Sequence, residues 1–138
     1  MTAPQRIQLS RAAGWRKPEG AVVVSRPSIW GNPWKPGRPA RFWLPGYFVH
    51  DAICACTMDA ADVVSLYRRL IEGGPDPVNA ALPAQLSPEG RRKTRDLLRA
   101  HASRIVARLP DLHGRDLACW CKPGEPCHAD VLLEIANR

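Results

Sequence analysis

The sequence predicts a single α/β domain over residues 1–138, with a small, mostly parallel sheet flanked by helices. Three observations predict it. Two short strand-like runs lie near the N-terminus, two helical segments with apolar stripes fill the middle, and the C-terminus reads as strand, tight loop and helix. A chain of 138 residues is one domain's worth and can bury a core without metal or disulfide support. Apolar residues make up 45% and charged residues 24%, an ordinary globular balance.

Residues 6–10 (RIQLS) and 21–25 (AVVVS) read as strands, the second β-branched and bounded by Gly20 and Pro27. Between them Gly14-Trp15-Arg16-Lys17-Pro18 reads as a loop. From about 26 to 46 the chain is rich in proline (Pro27, Pro33, Pro36, Pro39, Pro45) and tryptophan (Trp30, Trp34, Trp43). No regular helix or central strand runs through that spacing, so a long structured loop is expected. The rings argue for order, because they want to be buried or stacked.

A helix is expected over 59–72, capped by Thr57 or Asp59, with Val63, Leu66, Tyr67, Leu70 and Ile71 on one face and Gly73-Gly74-Pro75 as its stop. Ser87-Pro88-Glu89 opens a second helix that runs to about Leu109, with Leu98, His101, Ala102, Ile105, Val106 and Leu109 inward and Pro110 at its end. Arg91, Arg95 and Arg99 fall on another face and read as a solvated surface. Residues 116–121 (DLACWC) read as a buried strand, 122–126 (KPGEP) as irregular, and 127–137 as a helix with Val131, Leu132, Ile135 and Ala136 on its apolar stripe. In α/β folds such a unit places functional groups at the strand's C-terminal end.

No apolar run is long enough to span a bilayer, and no hydrophobic run follows Met1, so no secretory signal is expected. A cytoplasmic location follows, with the five cysteines reduced; their odd number also argues against a full disulfide framework. The net charge of +7 is concentrated. Residues 1–43 hold eight basic residues and a single acid, Glu19, while the rest of the chain is balanced. That asymmetry points to an anionic partner, a nucleotide or nucleic acid, met by one region; an Arg-rich composition bias is the plainer explanation.

Cys119 and Cys121 are two apart on a strand and share a face, and the short loop returns the chain so that Cys127 and His128 open the next helix. Three readings stand. Cys127 is a nucleophile made acidic by the helix N-terminus, the most acidic of the thiols, with His128 or Asp130 as acid, base or orienting group. Alternatively Cys119, Cys121, Cys127 and His128 bind zinc. In the third reading the cysteines are small buried hydrophobes beside a phosphate-binding helix start. Cys54 and Cys56 read as half-buried thiols before the first helix; joined to Cys119 and Cys121 they would make a four-thiolate site.

The segment 25–34 also follows a strand directly. Arg26 offers a planar fork for a phosphate, Gly31 permits close backbone approach, Asn32 pairs a donor with an acceptor, and Trp30 and Trp34 are candidates to stack on a base. The alternative is a Trp-anchored loop that fills the core.

Taken together, R-P-S-x-W-G-N-P-W at Arg26–Trp34, Tyr67-Arg68 in a helix, and the C-W-C-x-P-x-x-P-C-H-x-D-V-L run within Leu112–Leu132 resemble a domain-of-unknown-function family of small bacteriophage and bacterial proteins. The resemblance covers about residues 6–137. It implies that Arg26, Trp30, Gly31, Asn32, Pro33, Cys119, Cys121, Pro126, Cys127, His128 and Asp130 are the motif residues, and, for a phage-encoded member, a host-cytoplasmic location. It implies no particular reaction. The expected function is binding, or binding and modification, of a nucleotide or nucleic-acid-derived ligand, with no resident cofactor unless zinc. The rivals are a zinc-supported nucleic-acid-binding module without catalysis, and a phage effector whose Trp-rich basic loop grips a host protein.

Overall fold

The structure is a computed structural model that describes residues 3–45, 52–73 and 81–138. Gly46, Gly74 and Pro75, which the sequence reading placed at segment ends, lie outside the described residues. The α/β expectation holds, with three α-helices and two small sheets among the described residues.

The first sheet is parallel. Strands β1 (Arg6–Gln8) and β2 (Val22–Val23) flank β6 (Leu117–Cys119) in the order β1-β6-β2. All three residues of β6 are buried, as a strand paired on both edges and covered on both faces should be. Parallel neighbours need a long connection, and the chain from 24 to 116 supplies it between β2 and β6. Gln8 stands opposite Cys119 and Val23 opposite Ala118. The pairing continues past the strand ends through Leu9 N to Cys119 O at 2.8 Å and Val24 N to Ala118 O at 2.9 Å.

The second sheet adds short strands to what the sequence predicts as a long structured loop. Strands β3 (Trp34–Lys35), β4 (Arg41–Phe42) and β5 (Ala52–Ile53) form an antiparallel meander inside and just beyond the proline-rich segment. Each strand is only two residues long, so the prolines fall between strands instead of within them. Trp34 packs edge-on to Phe42 with ring centroids 6.1 Å apart and donates its Nε1–H to Ala81 O at 2.7 Å.

Helix α1 (Ala60–Glu72) starts at Asp59, whose carboxylate accepts from Asp62 N at 2.8 Å while Asp62 returns the bond to Asp59 N at 2.9 Å. That reciprocal pair satisfies two of the helix's orphan donors. Gly73, at φ 71°, closes it in the left-handed region that favours glycine. Helix α2 (Pro88–Arg108) is capped by Ser87 and ends just before Pro110, as expected, with a separate 3-10 turn over Leu109–Leu112 following it. Val106, expected inward, is 45% exposed. Helix α3 (His128–Ala136) begins at Cys127.

Helices α1 and α2 wall off two cores. Tyr67, Ile71 and Ile105 pack with Trp30, Leu117, Val131 and Leu132 around the parallel sheet. Val63, Leu66 and Leu98 pack with Trp34, Phe42, Leu44 and Leu82 against the antiparallel one. An ionic network of Arg68, Glu72, Glu134 and Arg138 ties α1 to α3 at the surface. No described helix is long and apolar enough to cross a membrane.

His101 of α2 is 1% exposed, and its Nε2 has no hydrogen-bond partner. Burial first, then the charge of Arg104, hold its ring below the usual imidazole range, opposed by a bond to the Gly31 backbone. The neutral ring's stabilisation is therefore complete above the unfolded value of about 6.5 and is lost as pH falls through the folded value. In urea titrations across that range, His101→Gln is expected to flatten the acid-side loss of stability. An unchanged pH profile in the variant would remove His101 as its cause.

Candidate functional site

The three C-terminal thiols meet at the C-terminal edge of the parallel sheet. Cys119 ends β6, Cys121 follows it, and Cys127 caps α3. Their sulfurs all lie within 4.8 Å of one another, and Cys119 Sγ is 3.8 Å from Cys121 Sγ. Chain distance does not explain this by itself, because the intervening residues 122–126 must be held in a closed loop. Arg6 of β1 holds them. Its guanidinium donates to Lys122 O at 3.1 Å and to Glu125 O at 2.9 Å, and pairs with Asp130 at 3.2 Å. Its side chain is only 12% exposed. Burial works against its charge, but contacts with Cys127 and Asp130 more than offset this and raise its pKa.

The sulfurs share their protons unevenly. Hydrogen bonds from Cys121 and then Cys127 hold Cys119 well below the usual thiol range, against its burial. The same contact with Cys119 is the first cause pushing Cys121 up. It also pushes Cys127 up, although the Ala129 N–H at the start of α3 favours the Cys127 anion. The helix start thus acts on Cys127 as expected, and the contact with Cys119 opposes it. Cys119 and Cys127 are buried, and Cys121 is half-buried.

His128 is 7% exposed and packs edge-on to Tyr67 at 5.1 Å between centroids. Its Nε2 lies 2.7 Å from Val24 O. A carbonyl only accepts, so Nε2 carries the proton and Nδ1 keeps its lone pair. Nδ1 lies 3.9 Å from Cys127 Sγ. Burial first keeps the ring below the ordinary imidazole range, opposed by the Val24 bond, so it is a neutral acceptor beside the thiol. Asp130 is exposed and turned to Arg6, outside the cleft.

Both motif segments line one cleft of about 440 Å³, which includes Arg26, Asn32 and Trp34 from the first and Cys119, Cys121, Cys127 and His128 from the second. Within the first segment the roles divide. Gly31 is set by a close approach, since a Cβ there would lie 2.6 Å from Arg26 Cγ. The Asn32 amide bridges two elements, donating to Val63 O at 2.9 Å and accepting from Trp34 N at 3.0 Å. Trp30 lies outside the cleft, 5% exposed in the core, and its carbonyl accepts from Tyr67 Oη at 2.6 Å. Trp34 is 1% exposed, so its face is not open to a base. These rings anchor the loop between the two cores.

The sequence reading missed two residues. Arg6 gave no signal beyond its charge, because its partners lie more than a hundred positions away. Trp120, which strand alternation turns away from the face shared by Cys119 and Cys121, nevertheless lines the cleft, is 46% exposed and carries the Arg11 guanidinium 4.9 Å from its ring centroid. Cys54 and Cys56 stand apart from the cluster. Cys54 is buried in the second core, bonded to Ala81 O at 3.3 Å, and burial first, then Cys56, pushes it up to about 11.

A family model described as a domain of unknown function (DUF4326) matches residues 7–138. No curated protein and no solved structure matches the chain.

Replacing Arg6 by Leu removes the donors to Lys122 O, Glu125 O and Asp130 while keeping most of the stem. A single charge-assisted bond of this kind contributes about 1.5–3 kcal/mol, so a loss of at least about 2 kcal/mol is expected on chemical denaturation. Amide exchange should speed up selectively over residues 122–127. Uniform exchange over the whole chain would show that Arg6 stabilises the fold generally and does not pin the thiol loop.

Proposed function

The chain belongs to this family, and from that premise we propose that its cleft binds a nucleotide-type ligand, a phosphate joined to an aromatic base. One observation carries the reading. Arg26 and the exposed indole of Trp120 share a cleft at the C-terminal edge of the central parallel strand, where α/β folds receive their ligands. The volume of about 440 Å³ lies within the range of small-molecule sites and suits a mononucleotide better than a duplex. Arg26 would take the phosphate in bidentate fashion, and Trp120 would stack the base in place of the buried Trp30 and Trp34. If the ligand is also modified, the thiol group faces it, with Cys127 as the nucleophile and His128 Nδ1 as its proton acceptor. Asp130, paired with Arg6, would act only by orienting the loop.

The thiol geometry favours a second reading, zinc binding. The edge of a tetrahedron with Zn–S bonds of about 2.3 Å is about 3.8 Å, and the Cys119–Cys121 sulfur separation is 3.8 Å. Cys119, Cys121 and Cys127 are the ligands; His128 stays outside the set. Two rings of the Trp-rich basic loop that the host-protein reading invokes, Trp30 and Trp34, are buried, while Trp43 is half-buried.

Tryptophan fluorescence with adenosine monophosphate, adenosine, inorganic phosphate and a single-stranded oligonucleotide tests the first reading. The monophosphate should bind tighter than either half alone, and its affinity should fall with salt. Trp120→Ala should weaken it about tenfold, the scale of one base–aromatic stack, while Arg26→Met should erase the preference over adenosine. Equal binding of phosphate and monophosphate, or no effect of Trp120→Ala, contradicts the reading. Tight binding of the oligonucleotide alone favours the nucleic-acid alternative.

A further inference from the structure

We infer that the thiol cluster is an open metal site: a d10 cation such as zinc held by Cys119, Cys121 and Cys127, with its fourth coordination position facing the cleft and filled by an exchangeable external donor. The inference rests on the zinc reading above and adds what completes the shell.

Three thiolates occupy three corners of a tetrahedron. Among the described residues, no other His, Cys, Asp or Glu brings a ligand atom into the group within 4.8 Å of all three sulfurs. His128 is the nearest in sequence, but it falls outside the group although its Nδ1 lies 3.9 Å from Cys127 Sγ, and its protonated Nε2 is held by Val24 O at 2.7 Å. Glu125 lines the cleft, and its backbone is fixed by Arg6 at 2.9 Å; it is the other residue that could close the shell. All three cysteines also line the cleft. A cation seated among them therefore lies on the cleft wall. Zinc sites with four protein ligands are structural, whereas those with three keep a position for water or substrate. Arg26, on the same cleft, favours an anionic donor there. The chemical class of ligand is thus a small anion or the anionic oxygen of the cleft's ligand, exchanging with water.

Cobalt(II) replaces zinc in such sites and reports its ligands by colour. The full chain, stripped of metal under reducing conditions and titrated with cobalt(II), should take up one ion with sulfur-to-cobalt charge-transfer absorption and the d–d bands of a tetrahedral centre. Sodium azide should then shift the d–d bands saturably. His128→Gln, which keeps a donor for Val24 O, and Glu125→Gln should leave both the starting spectrum and the azide shift in place. Each of Cys119→Ser, Cys121→Ser and Cys127→Ser should reduce the charge-transfer intensity by about a third or abolish binding. A tetrahedral thiolate spectrum that azide does not move, and that His128→Gln or Glu125→Gln changes, overturns the open site and leaves zinc binding intact. Absence of charge-transfer absorption overturns the zinc reading and the open site with it.

Discussion

Both edges of β6, a strand of three residues, are hydrogen-bonded to segments from the other end of the chain. This pairing brings the C-terminal cysteines to the Arg26 segment and to Arg6. Because β1 and β2 run parallel to β6, all three strands release their chains at the same edge. The loop after β2 then carries Arg26 into the cleft, and the loop after β6 carries Cys121 and Trp120 there. A shift by one residue would turn Cys119 to the other face and dissolve the cluster. Arg6 adds the second constraint. It leaves β1 to bind two carbonyls of the 122–126 loop and Asp130 of α3. One side chain thus joins a strand, a loop without regular structure and a helix start.

The resulting site is unusual in its concentration of thiols and in how little of it is wet. Cys119, Cys127 and His128 are buried, and the His128 tautomer is fixed by a backbone carbonyl. An outer carbonyl that orients an imidazole is common in metal and nucleophile sites alike, so the histidine does not choose between them. The sulfur spacing does more. Three thiols within contact of one another cannot all ionise without a counter-charge. In the bare protein contacts with Cys121 and Cys127 favour the Cys119 anion; a cation would allow all three to ionise and would release their protons.

Much of this was legible in the sequence where the signal was local. The apolar stripe of Val63, Leu66, Tyr67 and Ile71, the Asp59 and Ser87 caps, and the shared face of Cys119 and Cys121 each follow from spacing within one element. The antiparallel sheet was not legible, because strands of two residues show no alternation and are held by tertiary bonds such as Trp43 N to Pro33 O at 2.8 Å. The roles of Trp30 and Trp34 were open for a related reason: an indole suits a core and a nucleobase equally, and burial decides between them. Arg6 and Trp120 took their places only through pairing between the two ends of the chain, which composition does not record.

The convergence of three sulfurs on one point is the claim on which the rest stands, and trivalent arsenic tests it without reference to zinc or to any nucleotide. Arsenite condenses with three thiols, forming three As–S bonds and releasing three waters. Incubation of the reduced full chain with arsenite, followed by intact mass measurement, should show one arsenic added with three hydrogens lost. The adduct should disappear in each of Cys119→Ser, Cys121→Ser and Cys127→Ser and persist in a Cys54→Ser, Cys56→Ser double variant. An adduct that survives loss of any one of the three C-terminal cysteines, or one that requires Cys54 and Cys56, would contradict the account.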